Sequence, residues 1–372
     1  MFQRMVSSLT VRYAGTPQTT RVVIARGGLS RLGALTRSVS TGVRALIVSD
    51  TTVARLYAPA ARRSLARVGF AVTLATVPPG ERSKSPARLA ALWGSLGHSG
   101  IGRGDVVVAL GGGVPGDLAG FAAASWLRGI AWVAVPSTLL SMVDSALGGK
   151  TGIDLDAGKN LVGAFHHPRL VLADPALLAT LPPRERRAGL AEVVKTGFAT
   201  DRALFRWCER HAIALADGEP AALDAAVGRT LRAKARVVGP DANEREGGGR
   251  SALNFGHTLG HAYETARNYR GVRHGEAVAV GLRAAARLSE RVAGLDPRER
   301  ARLDALLDRL GLPKRLRAVS VGALLGAMRQ DKKRSSRAIR WVLTPRMGHA
   351  SVPRPIDLRL VRAMLIDCGA RS

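Results

Sequence analysis

Between residues 20 and 180 the chain alternates short apolar runs with stretches whose apolar residues recur at helical spacing. The runs predict strands over residues 21–25, 45–49, 71–77, 106–110, 131–135 and 170–173, with helical patterns such as 53–68, 86–96 and 118–127 between them. Alternation of this kind is the mark of a βαβ-layered parallel sheet. Near Leu181-Pro182-Pro183 the character changes to amphipathic helices, with no comparable strand pattern until residues 339–343. The pattern therefore predicts an α/β domain over residues 1–181 and a helical domain over 182–372.

Ligands of open parallel sheets gather at the carboxyl ends of the strands. Several polar residues fall there. Asp50 follows the second predicted strand, Glu81 and Lys84 follow the third, and Ser137-Thr138 follows the run 131–135. The run 106–110 breaks into Gly111-Gly112-Gly113-Val114-Pro115-Gly116-Asp117 and then becomes helical. A strand, a glycine turn and a helix N-terminus let backbone N–H groups approach a pyrophosphate. Gly148-Gly149-Lys150 and Gly158-Lys159-Asn160 then read as two lysines delivered from glycine-flexible loops. This half of the chain is built to handle a nucleotide and a second phosphorylated ligand.

Composition changes the picture little. No run approaches 18 uninterrupted apolar residues, so a membrane span is not expected. Cys208 and Cys368 fit no metal spacing and suit a reduced, cytoplasmic setting. The formal charge of +28 raises the question of nucleic acid, but aromatic residues are only 4% and no recognition module is present. The excess arginine reads as a solvated surface that draws in anionic substrates. The first 49 residues hold seven arginines and no acid, as a transit peptide would. Because a strand and a Gly-Gly turn already begin by Arg21, a short ragged extension is expected there instead.

The helical half carries a metal-like constellation. His257 and His261 lie four apart on one predicted helix, His274 follows in a loop, and Glu192 sits on an earlier helix. Two imidazoles and a carboxylate with an open position form a common catalytic zinc arrangement. Spacing alone suggests His257 and His261 as the paired ligands.

The blocks 111–121, 136–165, 189–197, 253–261 and 274–281 resemble, in order, those of the 3-dehydroquinate synthase family of sugar-phosphate cyclases. The resemblance runs from about Arg21 to the end of the chain. It implies a Rossmann-like NAD-binding domain followed by an all-helical metal- and substrate-binding domain. The implied reaction is a shikimate-pathway step leading toward aromatic amino acids. It converts 3-deoxy-arabino-heptulosonate 7-phosphate (DAHP) to 3-dehydroquinate by transient NAD-dependent oxidation, phosphate β-elimination, re-reduction and aldol closure. The leaving phosphate can serve as its own base.

The resemblance also implies ligands and roles. Zinc, with cobalt as the alternative, would be held by Glu192, His257 and His274, leaving His261 in the substrate site. Lys150, Asn160 and Arg128 would grip the substrate phosphate, with Arg128 reaching in from a neighbouring subunit of a homodimer. Lys195, Lys234, Arg250, Asn254 and His261 would surround the carboxylate, hydroxyls and proton path, and Lys332 or Lys333 would add another contact. NAD would meet Asp50, Glu81, Lys84, Gly113, Val114, Pro115, Gly116, Asp117, Ser137, Thr138, Asp144, Lys159 and Thr180, with Asp144 and Lys150 near both ligands.

Four departures stand out from the family pattern. Pro115 replaces an aliphatic residue and removes one N–H, Ser137 replaces threonine, Thr52 stands where asparagine is usual, and the segment 239–246 is longer. The nearest rivals are 2-epi-5-epi-valiolone and 2-deoxy-scyllo-inosose synthases, then a glycerol-type dehydrogenase. Lys150, Asn160 and Arg250 would be unexplained in a dehydrogenase, where no phosphate or carboxylate needs neutralising.

Overall fold

The computed structural model describes residues 6–245, 248–331, 339–351 and 353–372. These form two compact units divided between Leu181 and Pro182.

The first unit is organised by a seven-stranded sheet. Its strands are β1 (Val6–Arg12), β2 (Thr19–Ala25), β3 (Arg44–Asp50), β4 (Ala71–Val77), β5 (Val106–Gly111), β6 (Ala131–Pro136) and, after a separate hairpin, β9 (Leu170–Ala173). The order is β1-β2-β9-β6-β5-β3-β4, parallel throughout except that β1 runs antiparallel to β2. The central strands read as unbroken apolar runs because both faces are covered. β5 and β9 are buried along their whole length, whereas the edge strand β4 is mostly exposed.

β4 lies on one side of β3 and β5 on the other, so the sheet changes its direction of growth there. Such a switch point opens a crevice at the strand carboxyl ends.

Two features correct the sequence-based expectation. The expected ragged extension is a strand from Val6 onward, paired with β2 from Val6↔Ala25 to Arg12↔Thr19. The two glycine-flexible loops are a hairpin, β7 (Lys150–Leu155) with β8 (Gly158–Phe165).

Among the described residues the second unit is mostly helical, with a two-residue ladder, β10 (Arg340–Trp341) with β11 (Arg354–Pro355), and an isolated bridge between Ser320 and Arg371. Its centre is the helix Pro183–Thr200, buried without interruption from Ala188 to Ala199. The helices Pro220–Val238 and His274–Ala293 pack on it, and His257–Ala266 packs on the last of these. Among the described residues, no helix is long and apolar enough to cross a membrane.

Candidate active site

In the first unit the carboxyl ends of β3 to β6 hold most of the residues proposed for the dinucleotide. Asp50 ends β3, and its Oδ1 accepts the N–H groups of Thr52 and Val53, capping the helix Thr51–Ala66. Gly112 leads from β5 into the helix Gly113–Ser125, whose first turn contains Gly113, Val114, Pro115 and Gly116. Proline is tolerated in a first helical turn, where its missing N–H would have had no intrahelical partner. Thr138 caps the next turn, its Oγ1 accepting from the Ser141 N–H at 3.1 Å. Ser137 is buried beside it, and Asp144 follows in a single π-helical turn, Ser141–Ser145. A small crevice joins Gly111, Gly112, Gly116, Asp117 and Ser145 to Lys150.

The densest chemistry in this unit surrounds Lys84, which is 4% exposed. Its Nζ lies 2.8 Å from Asp117 Oδ2, 3.7 Å from Glu81 Oε1 and 3.8 Å from Asp154 Oδ1, and it donates to Asn160 Oδ1. Lys159 Nζ meets Glu81 Oε1 at 2.8 Å. Burial alone would lower the Lys84 pKa, but Asp117 and Glu81 outweigh it and hold the proton more tightly. Burial raises the Asp117 and Asp154 carboxyls even though Lys84 pulls the other way. Lys84 and Lys159 are thus the two ammonium groups facing Asp117, Asp154 and Glu81.

Two expected residues are not brought into this cluster. Thr180 Oγ1 pairs with Tyr57 Oη at 2.6 Å. Arg128 lines a separate cleft of about 800 Å³ near the amino ends of β2, β6 and β9, with Arg21, Arg103 and Arg169. Leu127 and Arg128 are both left-handed, at φ 49° and 67°, a conformation non-glycine residues adopt only when the surroundings require it.

In the second unit Glu192, fully buried, forms an ion pair through Oε2 with Lys195, one turn along the same helix. Its Oε1 faces His257 Nε2 at 3.7 Å and His274 Nε2 at 3.5 Å. Potential ligand atoms of His257, His261 and His274 all lie within 4.8 Å of one another. His257 and His261 share a helical face, as their spacing requires.

His274 is not in a loop as expected, but opens the helix His274–Ala293. Glu276, at its third position, reaches back to accept the Arg273 N–H at 3.0 Å. Gly275 allows that helix end to meet the Glu192 helix, since a Cβ there would lie 1.8 Å from the Ala188 carbonyl oxygen.

The donor set fits a divalent cation. Burial, then the Lys195 charge, hold His257 well below the usual histidine range, so its lone pair is available. Burial would lower His274 too, but Glu264 and Glu192 prevail and push it up to about 10. A field that retains a proton this strongly favours positive charge where two imidazoles and a carboxylate converge. His274 Nδ1 lies 2.9 Å from Glu264 Oε2, the carboxylate–imidazole support common behind metal-binding histidines.

The remaining expected residues are held by local networks. Lys234 is buried on the helix Pro220–Val238. Arg250, 4% exposed, donates from one guanidinium nitrogen to the Ala242 carbonyl oxygen, and its backbone N–H donates to Asp241 Oδ2. Asn254 Nδ2 donates to Glu244 Oε1 at 2.6 Å, which places the long segment after Lys234 against the turn carrying Arg250 and Asn254. Lys332 and Lys333 lie outside the described residues.

The family profile described as 3-dehydroquinate synthase N-terminal matches residues 74–188, and its C-terminal counterpart matches residues 189–334. The chain belongs to the 3-dehydroquinate synthase family. A 3-dehydroquinate synthase from Citrifermentans bemidjiense is 44% identical, covering 96% of this chain and 98% of that relative. Among solved structures, a 2-deoxy-scyllo-inosose synthase complexed with carbaglucose-6-phosphate, NAD+ and Co2+ superposes with TM-score 0.87 at 25% identity. That match covers 97% of this chain and all of the other. ValA, the 2-epi-5-epi-valiolone synthase of Streptomyces hygroscopicus, with NAD+ and Zn2+ bound, gives TM-score 0.85 at 27% identity, covering 98% and 99%. The match to 3-dehydroquinate synthases is therefore higher in sequence than the match to either rival cyclase.

Two residues of these clusters escaped the sequence reading of this 3-dehydroquinate synthase family member. Glu264 lies seven positions after His257 and three after His261, so helical periodicity alone would have placed it on their side. Asp154 carried no such signal: it is an acid after one apolar residue, and its importance appears only with the hairpin register.

Proposed function

We propose that the chain converts DAHP to 3-dehydroquinate and phosphate, with NAD and a divalent metal as cofactors and zinc as the metal. The observation that carries this reading is the convergence of buried Glu192 with His257 and His274, in a chain matching 3-dehydroquinate synthases over nearly its full length. Residues 1–181 would bind the dinucleotide and 182–372 the metal. Bound NAD would supply a reversible hydride acceptor at a substrate hydroxyl. A divalent ion on Glu192, His257 and His274 would supply Lewis acidity toward the substrate's hydroxyl oxygens.

The chain's own groups then bind and orient. Lys150 and the Asn160 carboxamide face the substrate phosphate. The N–H groups of Gly113 and Val114 approach the pyrophosphate, while Pro115 contributes none and Gly116 donates its own to the Gly112 carbonyl oxygen. Lys195 Nζ, paired with Glu192, faces the substrate's hydroxyls. His261, the exposed member of the three histidines, serves the substrate rather than the metal. Lys234, Arg250 and Asn254 pair with the substrate's carboxylate and hydroxyls. Two buried free cysteines, Cys208 and Cys368, suit the reducing cytoplasm. Arg128 faces a cleft apart from Lys150 and Asn160, which supports its use by a second copy in a homodimer.

The test is phosphate release by the purified protein with NAD and zinc, comparing DAHP, sedoheptulose 7-phosphate and glucose 6-phosphate. Release from DAHP alone is expected. Release from only one of the other sugars would move the chain to the function of the rival cyclases.

The Glu264 contact gives a further expectation. Glu264→Ala should weaken zinc binding about 10–100-fold in chelator competition. Unchanged zinc affinity would detach Glu264 from the metal site.

A further inference from the structure

In the β7–β8 ladder, pairing shifts from Ile153↔Val162 to Leu155↔Gly158, which sets Asp154 at the irregularity opposite residues 159–161. The Asn160 N–H donates to Asp154 Oδ1 at 3.0 Å. Asp154's own N–H donates to the Lys84 carbonyl oxygen at 2.8 Å, and its Oδ1 lies 3.8 Å from Lys84 Nζ. Lys84 Nζ closes the loop by donating to Asn160 Oδ1. Asn160 is left-handed, at φ 53°, a state asparagine tolerates better than most residues but that needs a tether to persist. Bulges near active sites commonly serve to re-aim a side chain.

We propose that Asp154 is a positioning residue for the reaction. It fixes the left-handed Asn160 against Lys84, so that the phosphate contact and the charged cluster beside it form as one unit. The proposal rests on the reading above for the phosphate role of Asn160. The geometry separates two contributions of Asp154. Its oxygen orients Asn160 as a hydrogen-bond acceptor, which an amide can imitate. Its charge opposes Lys84, which also has Asp117 at 2.8 Å and does not depend on Asp154 alone.

The variants Asp154→Ala and Asp154→Asn, in the full chain with NAD and zinc, separate these contributions. In the alanine variant KM for DAHP should rise about tenfold with kcat changed less than about threefold, the loss expected for one charge-assisted hydrogen bond. The dissociation constant for inorganic phosphate, read by calorimetry, should rise in parallel. In Asp154→Asn both should return to within about twofold of the parent, because the amide oxygen still accepts from Asn160. The proposal falls if both variants match the parent, or if both are impaired alike with a lowered Tm. Should the parent protein release no phosphate from DAHP while its phosphate affinity follows this pattern, Asp154 keeps its role and the substrate reading is lost.

Discussion

Replacing His274 with alanine is expected to empty the metal site and lower kcat/KM for phosphate release by about 10³-fold, the scale of losing a preorganised electrostatic contact at the reacting oxygen. Glu192 Oε1 stands between His257 and His274, 3.7 and 3.5 Å from their Nε2 atoms, so removing either imidazole opens one side of the set. Glu264 would lose its contact with His274 as well, and with it its support of a ligand. His261→Ala is expected to behave differently: the exposed imidazole goes, Glu192, His257 and His274 stay, and the metal is retained while turnover falls.

Atomic absorption on gel-filtered protein reads metal per chain, and phosphate release reads turnover. Metal lost in His261→Ala but kept in His274→Ala would restore the i, i+4 pair as the ligand set. Equal metal content in both variants and the parent would remove both His261 and His274 from metal binding.

Much of this was legible in the sequence for a physical reason. Strands covered on both faces must be apolar at every position, and β5 and β9 stand out as such runs. The glycine turn after β5 was equally plain, because few local structures need that many glycines after a buried strand. β1 was not. It mixes Val6, Leu9 and Val11 with serine, threonine and arginine, and only pairing with β2 makes it a strand.

The β7–β8 hairpin was misread because its glycines look like flexibility. Gly163 instead serves a close crossing: a Cβ there would lie 2.1 Å from the Thr151 carbonyl oxygen. The same misreading hid Asp154, whose partners Lys84 and Asn160 come from separate elements. Sequence spacing reports what shares a helix or strand. It does not report an acid that bridges a bulge, a left-handed turn and a buried lysine.

That cluster carries the second large effect. Lys84→Met is expected to destabilise the first unit by about 3–5 kcal/mol at neutral pH, the usual scale for removing one member of a buried ion pair. For a unit of this size that is a fall of roughly 6–20 °C in its calorimetric transition. The loss comes from Asp117, Asp154 and Glu81, which would each lose their ion pair with Lys84.

Its dependence on pH follows from the directions of the shifts. Burial already raises the folded-state pKa of Asp117, so the folded form binds that proton more tightly than the unfolded form. The contribution of such a group is full below its unfolded value and is lost as pH rises through the folded one. Without Lys84, the largest force lowering Asp117 disappears and its pKa climbs further. The difference in Tm between Lys84→Met and the parent should therefore shrink as the pH is lowered from neutrality toward the carboxylate range, because Asp117 can take up a proton and stay in place at less cost. A difference that stays constant over that range would mean that the lysine stabilises the fold through the packing of its methylene stem, not through its charge.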